Sequence, residues 1–408
     1  MSDDVYVIGA SMTPFGKRID DTVKSLTSLA VSDALKDAGL DKEAVQAAWF
    51  SNTRQPMLEG QNTIRGQIAL RAAGITGIPI ANVENACASG STAVLQAMAA
   101  IRGGMVDIAL VVGAEKMVYK DRPEKVAAAF AGGTDVHDRD GVLDYIVSIG
   151  GEKPGPDRSL FMDLYAAQAR VHMERFGTTQ EDFARVASNT HCHGQHNPKA
   201  QYRTPFTVEE VLADKAIVYP FTRGMCAPVS DGASAVILCS ANALKRIGAG
   251  SRAVRVRSMA LLTTIERDKY DYANHIGRRA ALAAYNEAGV EPGDIDVAEV
   301  HDATAFSTVQ QIENLGLCKP GEVGACLRDG DFKIGGYAPV NPSGGLLAKG
   351  HPVGATGIAQ LYELVTQLRG EAGARQVDGA RLGIAENGGG FLGVEEAVTT
   401  VAILERCS

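Results

Sequence analysis

A helix-then-strand plan occurs twice in this chain, and that recurrence constrains the fold more than any single motif. Residues 34–40 (ALKDAGL) followed by 44–50 (AVQAAWF) describe one helix and strand; residues 284–290 (AYNEAGV) followed by 295–300 (IDVAEV) repeat the plan. Two further helices, one after Gly90 and one after Gly350, form the next matching pair. Alternating strands and helices bury apolar faces by stacking helices on both sides of a sheet. The repeat therefore predicts an α/β chain of two βαβ-rich halves, each with a mixed sheet covered by helices.

The chemistry falls at strand ends. Ile80–Val83 reads as a short strand, and residues 90–100 (GSTAVLQAMAA) as a buried helix of small side chains. Cys87 lies in the turn between them, within NACASGS. Free N–H groups and the positive helix end there would favour a thiolate. A buried structural cysteine is the competing reading. His351 lies in GHPVGATG, and Pro352 suits the first turn of a helix, which places His351 at the helix mouth. His301 ends a third strand, in HDATAF. One cysteine and two histidines at the ends of three strands suit a nucleophile, its base and an oxyanion-binding group.

Composition narrows the function classes. The 408 residues carry 40 Lys+Arg against 48 Asp+Glu, a net charge of -8 without a basic run, which argues against nucleic acid as a partner. No apolar run is long enough to span a bilayer, and the start MSDD carries no signal-peptide pattern. The 7 cysteines lack paired spacing, which fits a reducing cytoplasm. His191, Cys192, His193 and His196 cluster in one short run, but a structural zinc site draws on two separated ligand pairs, so no metal is expected in this chain. A polar loop near a nucleotide is the preferred reading of that run.

The contexts of Cys87, His301 and His351 (NACASGS, HDATAF and NPSGGLLAKGHPVGATG) resemble the thiolase superfamily, in the branch related to sterol carrier protein 2. The resemblance runs from residues 5–9 to the last strand near Ala402, and includes 191–217 and 230–235. It implies five layers (α-β-α-β-α) with pseudo-twofold symmetry. The N-terminal half would comprise residues 1–117 and 230–255, the C-terminal half 256–408. Residues 118–229 would form an inserted loop domain over the active site, cradling coenzyme A as a substrate. Lys120, Arg122, His193, Lys199 and Arg223 are candidates to face its phosphates, with Ser343 and Gly390 as further contacts. By resemblance Cys87 is the nucleophile, His351 its proton acceptor, and His301 a holder of the enolate oxygen. The N–H groups at Cys87 and Gly390 would hold the attacked carbonyl.

The sequence also departs from that pattern. Typical thiolases carry a second cysteine, in a C-terminal Cys-x-Gly-x-Gly turn or in His-Asp-Cys-Phe. Here those places hold Glu386-Asn387 and Ala303. Asn387 could only bind an oxygen, whereas Glu386 could move a proton. The gap admits a branched or aromatic 3-ketoacyl-CoA as one reading, and the overall resemblance implies benzoylsuccinyl-CoA, giving benzoyl-CoA and succinyl-CoA, as the named candidate. A C-acyltransferase on a phenolic acceptor, a steroid side-chain retro-aldolase and a non-catalytic lipid-binding subunit stay open. The resemblance further implies a homodimer joined by a small zinc-ribbon and OB-fold partner.

Overall fold

The structure, a computed structural model, describes residues 4–121, 123–152, 159–248 and 250–407. Arg122 and most of the polar stretch 150–157 lie outside them. Eleven strands are present among the described residues: β1 Val5–Met12, β2 Ala47–Ser51, β3 Ile80–Val83, β4 Ile108–Glu115, β5 Ala216–Val218, β6 Phe221–Thr222, β7 Gly232–Ser240, β8 Val254–Thr263, β9 Val297–Glu299, β10 Leu382–Gly389 and β11 Val398–Arg406.

Nine of them hydrogen-bond in the order β3-β2-β4-β7-β1-β8-β11-β10-β9, and β5 pairs with β6 apart from the rest. Read outward from the β1–β8 junction, the two halves match. Each has antiparallel strands near the junction (β7 and β4; β11 and β10) and parallel pairing at its edge (β2 with β3 and β4; β9 with β10). A parallel bridge from Ala298 to Val340 stands where β3 does in the first half. The halves are thus joined rather than separate sheets: Val5–Val7 pairs with Val254–Val256.

The repeat seen in the sequence lies on the outer faces. Helices Val23–Ala38 and Ile276–Ala288 each end in a left-handed glycine, Gly39 (φ 64) and Gly289 (φ 63), whose N–H returns to a carbonyl of the last turn. Their apolar faces pack onto the sheet in separate cores.

Between the half-sheets run helices Ser89–Arg102 and Thr356–Leu368, buried nearly all round as a central layer requires. Val94, Met98, Ile358 and Leu361 share one core with Val111 and Val236 of the first half and Val297 and Leu404 of the second. The α-β-α-β-α layering follows. Small residues set the approach of the central helices: a Cβ on Gly357 would lie 2.7 Å from the Ser91 nitrogen and closer still to Asn387 Oδ1. No helix among the described residues is long and apolar enough to cross a membrane.

Between β4 and β7 the chain leaves the sheet and forms helices including Leu160–Phe176 and Gln180–Gly194. The first contains the helix expected around 164–170. The second corrects a reading of the sequence. His191, Cys192 and His193 belong to its last turns rather than to a polar loop, with His191 and His193 both buried. Consecutive helical positions point in different directions. His191 Nε2 lies 3.1 Å from the Gly224 carbonyl, and His193 Nδ1 3.1 Å from the Asn341 carbonyl.

Candidate active site

Cys87 sits where β3 turns into the first central helix. Ala86 before it adopts φ +48, an uncommon backbone for a residue with a Cβ. Ser89 holds this elbow: its hydroxyl donates to the Ala86 carbonyl at 2.6 Å and accepts the Asn85 N–H at 2.8 Å. The Gly390 N–H donates to the Cys87 sulfur. Burial pushes the thiol up to about 11; Arg54 opposes this and Glu115 adds to it. Burial thus opposes the thiolate that the helix end was expected to favour.

His351 arrives from the second central helix by a slightly different route than expected. A short 3₁₀ turn, Val353–Ala355, follows Pro352, and the α-helix starts only at Thr356. That register puts Thr356 Oγ1 2.7 Å from His351 Nδ1. The hydroxyl spends its own hydrogen on the Pro352 carbonyl at 3.1 Å, so it accepts from Nδ1–H. His351 Nε2 then keeps its lone pair. Burial, with His301 and Arg54 nearby, holds this imidazole well below its ordinary range, as a neutral base.

His301 follows β9. Its ring centroid is 5.1 Å from that of His351, and the planes meet edge to face. Its Nε2 is buried without a partner, and burial lowers its titration to about 4. Ligand atoms of Cys87, His301 and His351 all lie within 4.8 Å of one another. All three line one cavity of about 480 Å³. A buried carboxylate, Glu115, ties its floor together by accepting the N–H groups of Thr53, Arg54 and Gly354 at 3.0, 2.8 and 2.9 Å.

Glu386 and Asn387 lie behind the wall, on β10. Glu386 is fully buried; its Oε2 accepts the His301 N–H at 3.1 Å and its Oε1 has no partner. Burial and neighbouring Glu396 raise its carboxyl well above the usual carboxylate range, which favours its protonated form. Asn387 Oδ1 accepts the Ser91 hydroxyl at 2.8 Å, fastening β10 to the cysteine helix, while its Nδ2, the group that could bind an oxygen, is buried without a partner.

Two residues expected to hold coenzyme A also turn inward. His193 also accepts the Ile334 N–H at 3.3 Å through Nε2, and burial brings it down to about 4. Ser343 is fully buried, donating to Glu299 at 2.7 Å and accepting from Lys349 at 2.8 Å. Both brace the loop leading to His351. Lys199 likewise donates to the Met12 carbonyl at 2.6 Å, and Lys120 is exposed off the cavity. Arg223 and Gly390 do line it, Arg223 with 71% of its side chain exposed and bridged to Asp214 at 2.8 Å.

Among the cavity residues that escaped the sequence reading are Arg54, Tyr165, Cys226 and Glu396. Arg54 follows the end of β2, the kind of position where ligands gather in α/β folds, and that was its only signal. Cys226 joins the cavity because the Ala227 N–H donates to the Ala303 carbonyl at 3.0 Å, a contact invisible along the chain.

A neutral imidazole base beside a cysteine, in a pocket between two halves of one α/β scaffold, defines an enzyme of acyl transfer. Residues 5–220 match the thiolase N-terminal domain, and residues 263–406 the thiolase C-terminal domain-like family. An acetyl-CoA acetyltransferase of Methanothermobacter thermautotrophicus is 38% identical over 95% of this chain and 96% of its own. Sterol carrier protein 2 of Oryctolagus cuniculus is 35% identical over 94% of this chain and 69% of its own. Among solved structures, an Ltp2-ChsH2(DUF35) aldolase superimposes with a TM-score of 0.78, covering 99% of this chain and 98% of that one. At 24% identity that likeness speaks for the fold alone. The chain belongs to the thiolase family, in its sterol carrier protein 2 branch. It is an acyltransferase that uses coenzyme A as a substrate.

Proposed function

We propose that the chain cleaves a branched or aromatic 3-ketoacyl-CoA by thiolysis through an acyl-Cys87 intermediate, with benzoylsuccinyl-CoA as the substrate and benzoyl-CoA and succinyl-CoA as products. The observation that carries this reading is the convergence of the Cys87, His301 and His351 ligand atoms within 4.8 Å. The thiol proton passes to His351 Nε2 as sulfur bonds to the keto carbon, whose oxygen takes the Gly390 N–H. The carbon–carbon bond then breaks, leaving an acyl thioester on Cys87 and an enolate whose oxygen faces His301 Nε2–H. Glu386, set behind the cavity wall, supplies the proton that the enolate carbon needs by way of a water. Coenzyme A next gives its thiol proton to Glu386, attacks the acyl group, and releases Cys87 to recover the proton from His351. Such positioned acid–base steps contribute roughly 10²–10⁴ in rate.

In this reading segment 118–229 covers the site, and Arg223 stands where a phosphate of coenzyme A would pass. The working assembly is a homodimer with a small zinc-ribbon and OB-fold partner, located in the cytoplasm. The test is chromatography of the thiolysis mixture. Equal amounts of benzoyl-CoA and succinyl-CoA from benzoylsuccinyl-CoA and coenzyme A support the reading; an unchanged substrate, with the partner protein added, contradicts it.

A further inference from the structure

Arg54 is the one arginine lining the cavity that is buried, at 7% exposure, and no carboxylate of the described residues pairs with its guanidinium. One Nη1–H donates to the Ala129 carbonyl, and the guanidinium carbon stands 4.9 Å over the centre of the Phe130 ring. Its Nε is buried without a partner. Glu115, a buried acid within electrostatic reach of this guanidinium, hydrogen-bonds to the Arg54 backbone N–H and not to its side chain. A buried guanidinium with an unmatched donor is costly unless an anion completes it. The other guanidinium on the wall, Arg223, already holds Asp214 and is exposed.

The position of Arg54 selects the anion. Ala129 and Phe130, which the guanidinium contacts, belong to the apolar cluster against which Cys87 packs, and this places Arg54 at the reacting end of the cavity. The phosphates of coenzyme A sit at the far end of the pantetheine arm from the thioester. An anion reaching Arg54 must therefore belong to the acyl part. A planar, two-oxygen acceptor matches the fork of donors on a guanidinium, which a lone carbonyl does not. Phe130 keeps water from one face of the ion, which strengthens the pairing.

We propose that Arg54 receives a free carboxylate on the acyl portion of the substrate, making the enzyme selective for 3-ketoacyl-CoA esters that carry a second, ionised acid. This rests on the thiolase reading of the cavity and narrows it to a substrate class.

The experiment compares two thiolysis substrates that differ in one group. Both are 2-substituted benzoylacetyl-CoA esters, one with a carboxymethyl and one with a carbamoylmethyl branch. The expected kcat/KM favours the acid by at least about 10-fold in the native protein, the scale of a charge-assisted hydrogen bond. In Arg54→Met that ratio should fall to near one, and Arg54→Lys, a point charge without the fork, should fall between. A ratio near one in the native protein, with both esters cleaved, overturns the carboxylate site and leaves the thiolase reading standing. An equal loss on both esters in Arg54→Met also overturns it, since the arginine would then serve Cys87 or the Phe130 segment. Cleavage of neither ester, with no acyl adduct on Cys87, overturns the reading and this proposal together. The substrate pair on the native protein decides the question even if Arg54→Met fails to fold.

Discussion

Thr356 Oγ1 accepts the Nδ1–H of His351 at 2.7 Å while donating to the Pro352 carbonyl, which fixes the tautomer of an imidazole whose ligand atom lies within 4.8 Å of the Cys87 sulfur. The base is therefore oriented by the first residue of the helix that delivers it. Thr356→Val removes the acceptor while keeping the β-branched shape. We expect kcat to fall by about 10²-fold, the low end of what positioned proton transfer supplies. Thr356→Ser should restore most of it, and steady-state kinetics on all three proteins checks the order.

The cysteine should behave as a protonated thiol. Burial raises Cys87 to about 11 and holds His351 well below its ordinary range, so neither direction favours a resting thiolate–imidazolium pair. A raised acid pKa means that the neutral thiol persists as pH rises. Alkylation of Cys87 by iodoacetamide should therefore keep accelerating from pH 7 to 10. A plateau reached near pH 6 to 7 would mean that an ion pair forms without substrate.

Glu386 and Cys226 are two of the groups near the cavity able to hand a proton to the leaving carbon. Burial and Glu396 favour the protonated form of Glu386, and Glu386→Gln preserves a neutral acceptor for the His301 N–H. Thiolysis should slow by about 10²-fold or more in Glu386→Gln, and by much less in Cys226→Ser. The reverse order would assign the proton to the thiol.

The close approach of the central helices sets a stability prediction. A Cβ at Gly357 meets the Ser91 backbone nitrogen and Asn387 Oδ1, neither of which can withdraw cheaply. Gly357→Ala should cost about 1–3 kcal/mol, read as a lower urea midpoint at unchanged slope.

Much of this was legible in the chain. The ALKDAGL and AYNEAGV segments announced the two outer helices, since helical period and terminal glycine are local signals. Cys87 and His301 could be found because each lies between a strand and a helix; His351 lies instead between the helical turn Gly345–Lys349 and the second central helix, and its glycine-rich context was the signal. Ser343, His193 and Asn387 lie in equally suggestive stretches, yet their side chains brace buried loops and strands. Sequence cannot separate a motif residue that touches a ligand from one that holds the loop presenting it. Arg54 and Cys226 reach the cavity only through tertiary pairing, which leaves no periodic trace.

The central claim is that Cys87 carries the acyl group. Intact-protein mass spectrometry after brief mixing with benzoylsuccinyl-CoA, without coenzyme A, addresses it directly. The account predicts an adduct of benzoyl mass that is absent from Cys87→Ala and disappears when coenzyme A is added. An adduct that persists in Cys87→Ala, or none in the native protein with its small partner present, would contradict it.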